Sequence, residues 1–493
     1  MFKVCFIGAG SIGFTRNLLR DILSVPEFSD IEVTFTDINQ QNLDMVTQLC
    51  KRDIENAGIG AKLTASTDRR AMLEGAKYVI SCVRIGGLEA FTTDIEIPLK
   101  YGVDQCVGDT LCAGGIMYGQ RNIPVMLDFC KDIKEVAHPD CIVLNYANPN
   151  AMVTWTMNEF GGVPTIGLCH GVHGGHWQIA AALGADVKDV DIICAGLNHQ
   201  TWYVSVKLNG EDVPQEKIYE ALSNHSEFKE TEKCRLDVMK RFGYYSTESN
   251  GHLSEYLAWY RKHHEDIPDW IHMDSWINGQ TGGYLRICTE GRNWFETDFP
   301  NWLKEPPYEY NAKSRGNEHG SYIIEALETG RVYRGHFNVI NDGCISNLPC
   351  DAIIEVPGYV DYNGLSIPKI GDLPLGCAAI LNNTISVQRL AVYAGVHGDD
   401  MLLRQAMMLD PLVGAVLKPD EIWQMTDDML IAQEEWLPQY KEAIAEAKER
   451  PRVAEPRYPN YKGTRVDFKT VEQMAEDAEK SRAVSSASEK AGM

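Results

Sequence analysis

The amino terminus limits most tightly how this chain can fold. Lys3-Val-Cys-Phe-Ile7 is a short apolar run, and Gly8-Ala-Gly10-Ser-Ile-Gly13 follows it directly. From Phe14 to Leu23 apolar residues recur at three- and four-residue spacing. A strand, a G-x-G-x-x-G loop and a helix in that order form the start of a dinucleotide-binding unit. Gly8 permits the tight turn, Gly10 lets backbone approach a pyrophosphate, and Gly13 lets the helix pack closely. Ser11 stands between them, where the helix amino terminus offers N–H donors and a positive dipole. The next apolar run, Ile31 to Thr36, ends in Asp37, 24 residues past Gly13. A carboxylate there grips ribose hydroxyls and repels an extra phosphate, which predicts NAD rather than NADP.

The alternation then continues. A helix is expected from Gln40 to Ala57, a strand from Tyr78 to Val83 leading into Arg84, a helix from Pro124 to Val136, and a strand from Cys141 to Tyr146 before Asn148-Pro149. Strands alternating with helices predict an α/β fold with a doubly wound parallel sheet of Rossmann type, in which ligands gather beyond the carboxyl ends of strands. Arg84, Asn148, Cys169 and His199 all follow strand-like runs. The nucleotide half is expected over residues 1–195 and an α+β domain over 196–470. In the second domain Tyr203 to Leu208 and Cys350 to Val360 read as strands. Leu222 to Arg241 and Thr384 to Val396 read as helices, and Pro419 to Glu449 as two more. Pro268 to Pro307, rich in Trp and Gly, is expected to be a long irregular loop. Residues 471–493 are polar and small, expected as a frayed helix and then disorder.

Composition excludes some functions. Lys plus Arg is 46 against 69 for Asp plus Glu, a formal charge of -23. That field makes nucleic acid and anionic membrane poor partners. No run approaches the length of a membrane span, and the strand at residue 3 leaves no room for a leader peptide. The 14 cysteines are scattered, several in apolar runs, as suits reduced thiols in the cytoplasm rather than a disulfide framework.

Two further strand ends carry chemistry. Val163 to Leu168 delivers Cys169 and His170, and Val190 to Ala195 leads to Asn198 and His199. A thiolate and an imidazole brought together suit a divalent transition metal. The alternative is a buried cysteine beside a hydrogen-bonded histidine. His173 and His176, at threes from His170, sit on an apolar helical pattern and read as helix-face residues before a second metal site.

These motifs in order, with Gly108-Asp-Thr110, Gly114-Gly115, Asn145-Tyr-Ala-Asn148-Pro149, Asn341-Asp-Gly-Cys-Ile-Ser-Asn347-Leu-Pro349 and Glu355-Val-Pro357, resemble glycoside hydrolase family 4 over residues 1 to about 440. Thr247-Glu248-Ser249 and His252-x-x-Glu255-Tyr256 look most like its α-galactosidase branch. The resemblance implies a malate-dehydrogenase-like scaffold, NAD, a divalent metal (usually Mn²⁺) and a homo-oligomer. It also implies a route unlike that of two-carboxylate glycosidases: oxidation at C3 of the sugar, loss of the C2 proton, elimination of the aglycone, addition of water and re-reduction. By the same resemblance Cys169 and His199 are metal ligands and His170 the acid. Asp109 orients metal or substrate, Asn148 holds a sugar hydroxyl, and the C2 base lies among Tyr244, Tyr245, Glu248 and His252.

Cys169-His170 in place of Cys-Asp or Cys-Asn, and Phe91 where the phospho-sugar branch has arginine, imply an unphosphorylated sugar. Gly171 stands where the α-galactosidases usually have serine, which leaves α-glucoside and α-uronide open. Arg84 is expected among the cofactor-binding residues, and could also pair with a uronic carboxylate or with the protein's own acids. Outside that family, a plain NAD-dependent dehydrogenase and an NAD-binding sensor with a structural Cys169 are the competing readings.

Overall fold

The computed structural model describes residues 2–273 and 279–490. One mixed sheet of twelve strands organises them. The strands are β1 (Lys3–Ile7), β2 (Glu32–Thr36), β3 (Lys62–Ala65), β4 (Tyr78–Ser81), β5 (Ile142–Asn145), β6 (Thr165–Gly167), β7 (Val190–Leu197), β8 (Gln200–Leu208), β9 (Glu211–Asp212), β10 (Tyr333–Ile340), β11 (Ile353–Asp361) and β12 (Gly364–Ser366). Their order is β3-β2-β1-β4-β5-β6-β10-β11-β7-β8-β9, with β12 beside β11. The first six pair in parallel in the doubly wound order 3-2-1-4-5-6. Alternate residues of β1 feed opposite faces, Val4 and Phe6 into one core and Cys5 and Ile7 into another. A strand covered by helices on both faces therefore reads as continuously apolar.

The sheet does not stop at residue 195, where the domain boundary is expected. Strand β10 pairs antiparallel with β6, β11 with β10, and the β7–β8 hairpin joins through β11. Both halves of the chain thus share one sheet, and the cluster described below lies where they meet.

Several elements differ from expectation. Pro268–Pro307 is not a loop: Gly283–Trp302 is a helix of 20 residues. Leu285 and Phe295 are buried on one face, and Phe295 packs edge-on to Phe299 and Trp302. Aromatic density at that spacing outweighs the glycines and Pro300 in the last turn. Residues 274–278 of that stretch lie outside the described residues. The helix expected from Pro124 begins at Cys112 and runs 25 residues. Gly115 and Gly119 are there for close packing, since a Cβ would meet the Thr110 carbonyl carbon at 2.4 Å and Met152 Sδ at 2.8 Å. The helix expected over Leu222–Arg241 is three pieces, Gln215–Asn224, Phe228–Thr231 and Lys233–Phe242, interrupted where His225 turns extended. The tail is helical over Val471–Lys490, where a frayed helix followed by disorder is expected; Ala, Glu and Lys favour that state. No helix among the described residues is long and apolar enough to cross a membrane. The fourteen cysteines are all free.

Candidate active site

The glycine loop is built as its sequence requires, with one exception. Gly8 has φ 86°, and its N–H and that of Ala9 donate to the Thr36 carbonyl. A Cβ on Gly8 would lie 2.9 Å from the Cys82 carbonyl oxygen. Gly10 donates its N–H to Asp37 Oδ2 at 2.8 Å, and a Cβ there would collide with that same oxygen. The other carboxylate oxygen accepts from Asn39 N at 2.8 Å. Ser11 caps the Ile12–Leu23 helix without a side-chain bond, so the N–H groups of the first turn stay available to an anion. Gly13 is the exception. A Cβ there meets nothing within 4 Å, so close packing does not explain that glycine.

Beyond the carboxyl ends of β5 and β6 five side chains from distant segments converge. Cys169, His199, Asp109 and His252 are each less than a tenth exposed. Donor atoms of Cys169, His199 and Glu248 lie within 4.8 Å of one another, as do those of Asp109, His199 and His252. His199 occupies the two-residue turn between β7 and β8 at φ 64°, a left-handed position that costs roughly 1–2 kcal/mol for a residue with a side chain. That turn presents the imidazole to Thr110 and Glu248. Glu355 on β11, opposite Gly196, sits beneath the turn and accepts from Asn198 Nδ2 at 3.4 Å. Burial pushes the Glu355 carboxyl up to about 8, with His199 pulling it down.

Hydrogen bonds set the histidine's orientation. The Thr110 hydroxyl donates to Asp109 Oδ1 at 2.9 Å and therefore accepts at 2.8 Å from His199 Nδ1. Nε2 is left as the free donor atom, 3.0 Å from Glu248 Oε2. Orientation through the other ring nitrogen is the usual support for a metal-binding histidine. Burial alone would depress the His199 pKa, but Glu248 and Cys169 outweigh it and hold it well above the usual value. Burial and Glu248 push the Cys169 thiol to about 11, against the opposing pull of His199. A cation at this point would release both effects, and a thiolate, an imidazole and a carboxylate are a fitting donor set for one.

Asn148 donates to Asp109 Oδ2 at 2.9 Å. Glu255, three residues past His252, accepts backbone N–H groups from Cys106, Val107 and Gly108 at 2.8, 3.1 and 2.9 Å. The His252-x-x-Glu255 spacing thus places one residue in the cluster and ties down the loop that presents Asp109.

His170 opens toward solvent, its side chain 45% exposed, with Nε2 2.9 Å from Glu318 Oε2. Burial lowers its pKa and Glu318 raises it, with a net rise. The neighbouring His319 is fully buried. It accepts a hydrogen bond at Nδ1 from the Tyr333 hydroxyl, 2.6 Å away, and donates from Nε2 to the Cys169 carbonyl at 3.0 Å.

Not all expected residues join the site. Tyr245 is in the core, its hydroxyl donating to Gln178 and its ring under Arg235. Tyr244 packs, half-buried, against the large core of the second half. Glu248 and His252 remain as candidates facing the cluster. Arg84 lies over Phe91, Tyr118 and Tyr284, with its charge 3.8 Å from Asp109, so it answers the protein's own acid. His173 stacks near His319, and His176 donates to the Val190 carbonyl; both belong to the Gly171–Ala182 helix. Thr110 and Glu355 stood in quoted motifs without a role. Glu318 and His319 carried no signal, being over 140 residues from the side chains they serve.

A Rossmann sheet with a glycine loop on β1 and a cysteine–histidine–glutamate cluster beyond β5 and β6 is the frame of a nucleotide-dependent enzyme, with donor atoms of Cys169, His199 and Glu248 close enough together to suit a cation. The chain belongs to family 4 of the glycosyl hydrolases: the profile described as family 4 glycosyl hydrolase matches residues 3–185, and that of the family's C-terminal domain residues 194–413. It is thereby a glycoside hydrolase. It is 56% identical to an α-galactosidase of Rhizobium meliloti (strain 1021) over 97% of this chain and 98% of that one. It is 34% identical to an α-galactosidase of Bacillus subtilis (strain 168), over 90% and 100%. The structure of the 6-phospho-β-glucosidase of Thermotoga maritima, solved with manganese, NAD⁺ and glucose-6-phosphate, superposes with a TM-score of 0.72 at 24% identity over 88% of this chain and 99% of that one.

Proposed function

We propose that this enzyme hydrolyses unphosphorylated α-galactosides, with NAD at the Gly8–Gly13 loop and a divalent metal, manganese, on Cys169 and His199. The near-full-length identity of 56% to a chain described as an α-galactosidase carries the substrate. NAD would supply reversible oxidation at C3 of the sugar, and the metal would stabilise charge on the oxygens of C2 and C3. The remaining work falls to the chain's own residues.

Asp37 and the helix amino terminus behind Ser11 hold the nucleotide. Asn148 and Asp109, bonded to each other, face the sugar hydroxyls, and Thr110 holds His199 to one orientation. His252 takes the C2 proton: burial lowers its pKa despite Glu248 nearby, so its imidazole is neutral and keeps a lone pair. His170, at the solvent side and charged by Glu318, gives a proton to the leaving oxygen. Phe91 is fully buried and covers Arg84, so a 6-phosphate would find no cation at that position, which supports an unphosphorylated sugar. The free cysteines support a cytoplasmic enzyme, and a homo-oligomer remains our expectation.

The test is incubation with NAD, Mn²⁺ and reductant against nitrophenyl α-galactoside, α-glucoside, both α-uronides and a 6-phospho-glucoside in deuterated water. Release from the α-galactoside with deuterium at C2 and no net NADH is expected. Net NADH without aglycone release would replace this reading by a dehydrogenase, and turnover of another glycoside alone would replace the sugar.

A further inference from the structure

Glu248 was expected among the candidate bases, yet its surroundings give it a different task. The backbone on either side is fixed. Thr247 N donates to the Thr201 carbonyl, Thr201 N donates to Thr247 Oγ1, and Ser249 caps the Asn250–Tyr256 helix. The carboxylate projects from this clamp into the cluster. Its Oε2 is buried and lies 3.0 Å from His199 Nε2 and 3.5 Å from His252 Nε2. With Cys169 Sγ and His199 it forms one of the two three-donor groups found among the described residues.

Room for that carboxylate comes from Gly171, two residues past Cys169. A Cβ on Gly171 would stand 2.8 Å from Glu248 Cγ, 3.1 Å from Cδ and 3.3 Å from Cβ. Gly171 has no left-handed φ, so the backbone does not require glycine there, and what a Cβ would press on is the side chain of Glu248. We propose that Glu248 is a third protein ligand of the metal held by Cys169 and His199, and that Gly171 is the vacancy that lets it reach.

The chemistry agrees. A thiolate and an imidazole alone favour zinc, whereas an added carboxylate oxygen suits harder ions such as Mn²⁺. Ligands bound at about 2.0–2.3 Å stand roughly 3–4 Å from one another, within the separation of these three. Thiolate and carboxylate together also neutralise a divalent charge that Cys169 and His199 would leave half-balanced. A ligand role removes Glu248 from the candidate bases and leaves His252.

This inference rests on Cys169 and His199 being metal donors, so the experiment separates the two. Mn²⁺ affinity of the full-length protein is measured by electron paramagnetic resonance of free Mn²⁺, with NAD affinity measured on the same samples. The variants are Glu248→Gln, Gly171→Ala, the pair together, and Cys169→Ser. Loss of an outer-shell partner weakens metal binding roughly 10–100-fold, so Glu248→Gln is expected to weaken Mn²⁺ at least about tenfold with NAD binding intact. Gly171→Ala is expected to weaken it as well, but to add nothing in the Glu248→Gln background. Bound Co²⁺ should keep its thiolate charge-transfer band in Glu248→Gln and lose it in Cys169→Ser. Unchanged Mn²⁺ affinity in Glu248→Gln overturns the ligand role, and additive losses overturn the part given to Gly171. A wild type that binds NAD but no Mn²⁺ or Co²⁺ overturns the metal centre itself.

Discussion

Asp37 gives the sharpest prediction for the nucleotide loop. Its carboxylate receives the N–H of Gly10 and of Asn39, both at 2.8 Å, and so holds the turn in shape before any ribose arrives. Hydrogen bonds to a charged group are worth about 1.5–3 kcal/mol when buried. The site is only part-buried, so about 1 kcal/mol each is the better figure, or about 2 kcal/mol for the pair. Replacing Asp37 by Ala removes both, together with the expected contact to the ribose hydroxyls. At 1.4 kcal/mol per tenfold the Kd for NAD should rise roughly 30-fold or more. NADP should move the other way relative to NAD, because the carboxylate that repels its phosphate is gone. Titrating NADH and NADPH by fluorescence, with melting as a control for folding, decides the matter. Affinity for NADH within about twofold of wild type, or an unchanged preference between the two nucleotides, would refute the role given to this carboxylate.

Three other changes should be as informative. Thr110→Val keeps the shape but removes the hydroxyl between Asp109 and His199; Mn²⁺ affinity should fall roughly 10–100-fold, and an unchanged titration curve would deny the orienting role. His170→Ala should cost about 10²–10⁴-fold in kcat on galactosides with alkyl or sugar leaving groups and far less on the nitrophenyl galactoside, which needs no proton to leave; equal losses on both would remove His170 as the acid. Asp410, buried at the start of the Pro411–Val416 helix, has its carboxyl raised from 3.8 to about 6, burial outweighing the N–H groups of Val413, Cys112 and Leu412. Its neutral form is the one the fold favours, so its effect on stability is constant below about pH 3.8 and turns unfavourable as pH climbs through 6, by about 3 kcal/mol in all at 1.36 kcal/mol per tenfold. The difference in urea midpoint between Asp410→Asn and wild type should therefore shift in the variant's favour from pH 4 to pH 7; a constant difference would contradict this.

What could be read from the chain alone follows from the range of each interaction. The Gln40–Ala57 helix was legible to the residue because its signals are local, Asn39 capping Asn42 N and Gly58 ending it at φ 65°. The glycine loop and Asp37 belong to the same local grammar. Cys169 and His199 were found because each stands at the end of an apolar run. The Cys112–Val136 helix was shortened because glycines such as Gly114 and Gly119 read as breakers but serve close contacts with other segments. The Gly283–Trp302 helix was missed because its glycines and Pro300 masked the packing of Phe295 on Phe299 and Trp302. The facing of Tyr245 could not be read, since Arg235 and Gln178 that hold it come from two other helices. Glu318 and Glu355 act on His170 and on the His199 turn only after the sheet has closed.

That closure has a consequence for how the molecule is made. Strand β6, which delivers Cys169, has β5 on one side and β10 on the other, with Gly167 aligned to Asn338. At a synthesis rate of about 5–20 residues per second, the 171 residues between those partners take roughly 10–30 s to appear. Throughout that interval the strand that will carry the cluster is an open parallel edge, the kind of edge on which chains associate wrongly. A fragment ending near residue 195 would keep that edge exposed permanently, so the nucleotide half should aggregate when produced by itself, and the ribosome-bound intermediate is where a chaperone would find this protein.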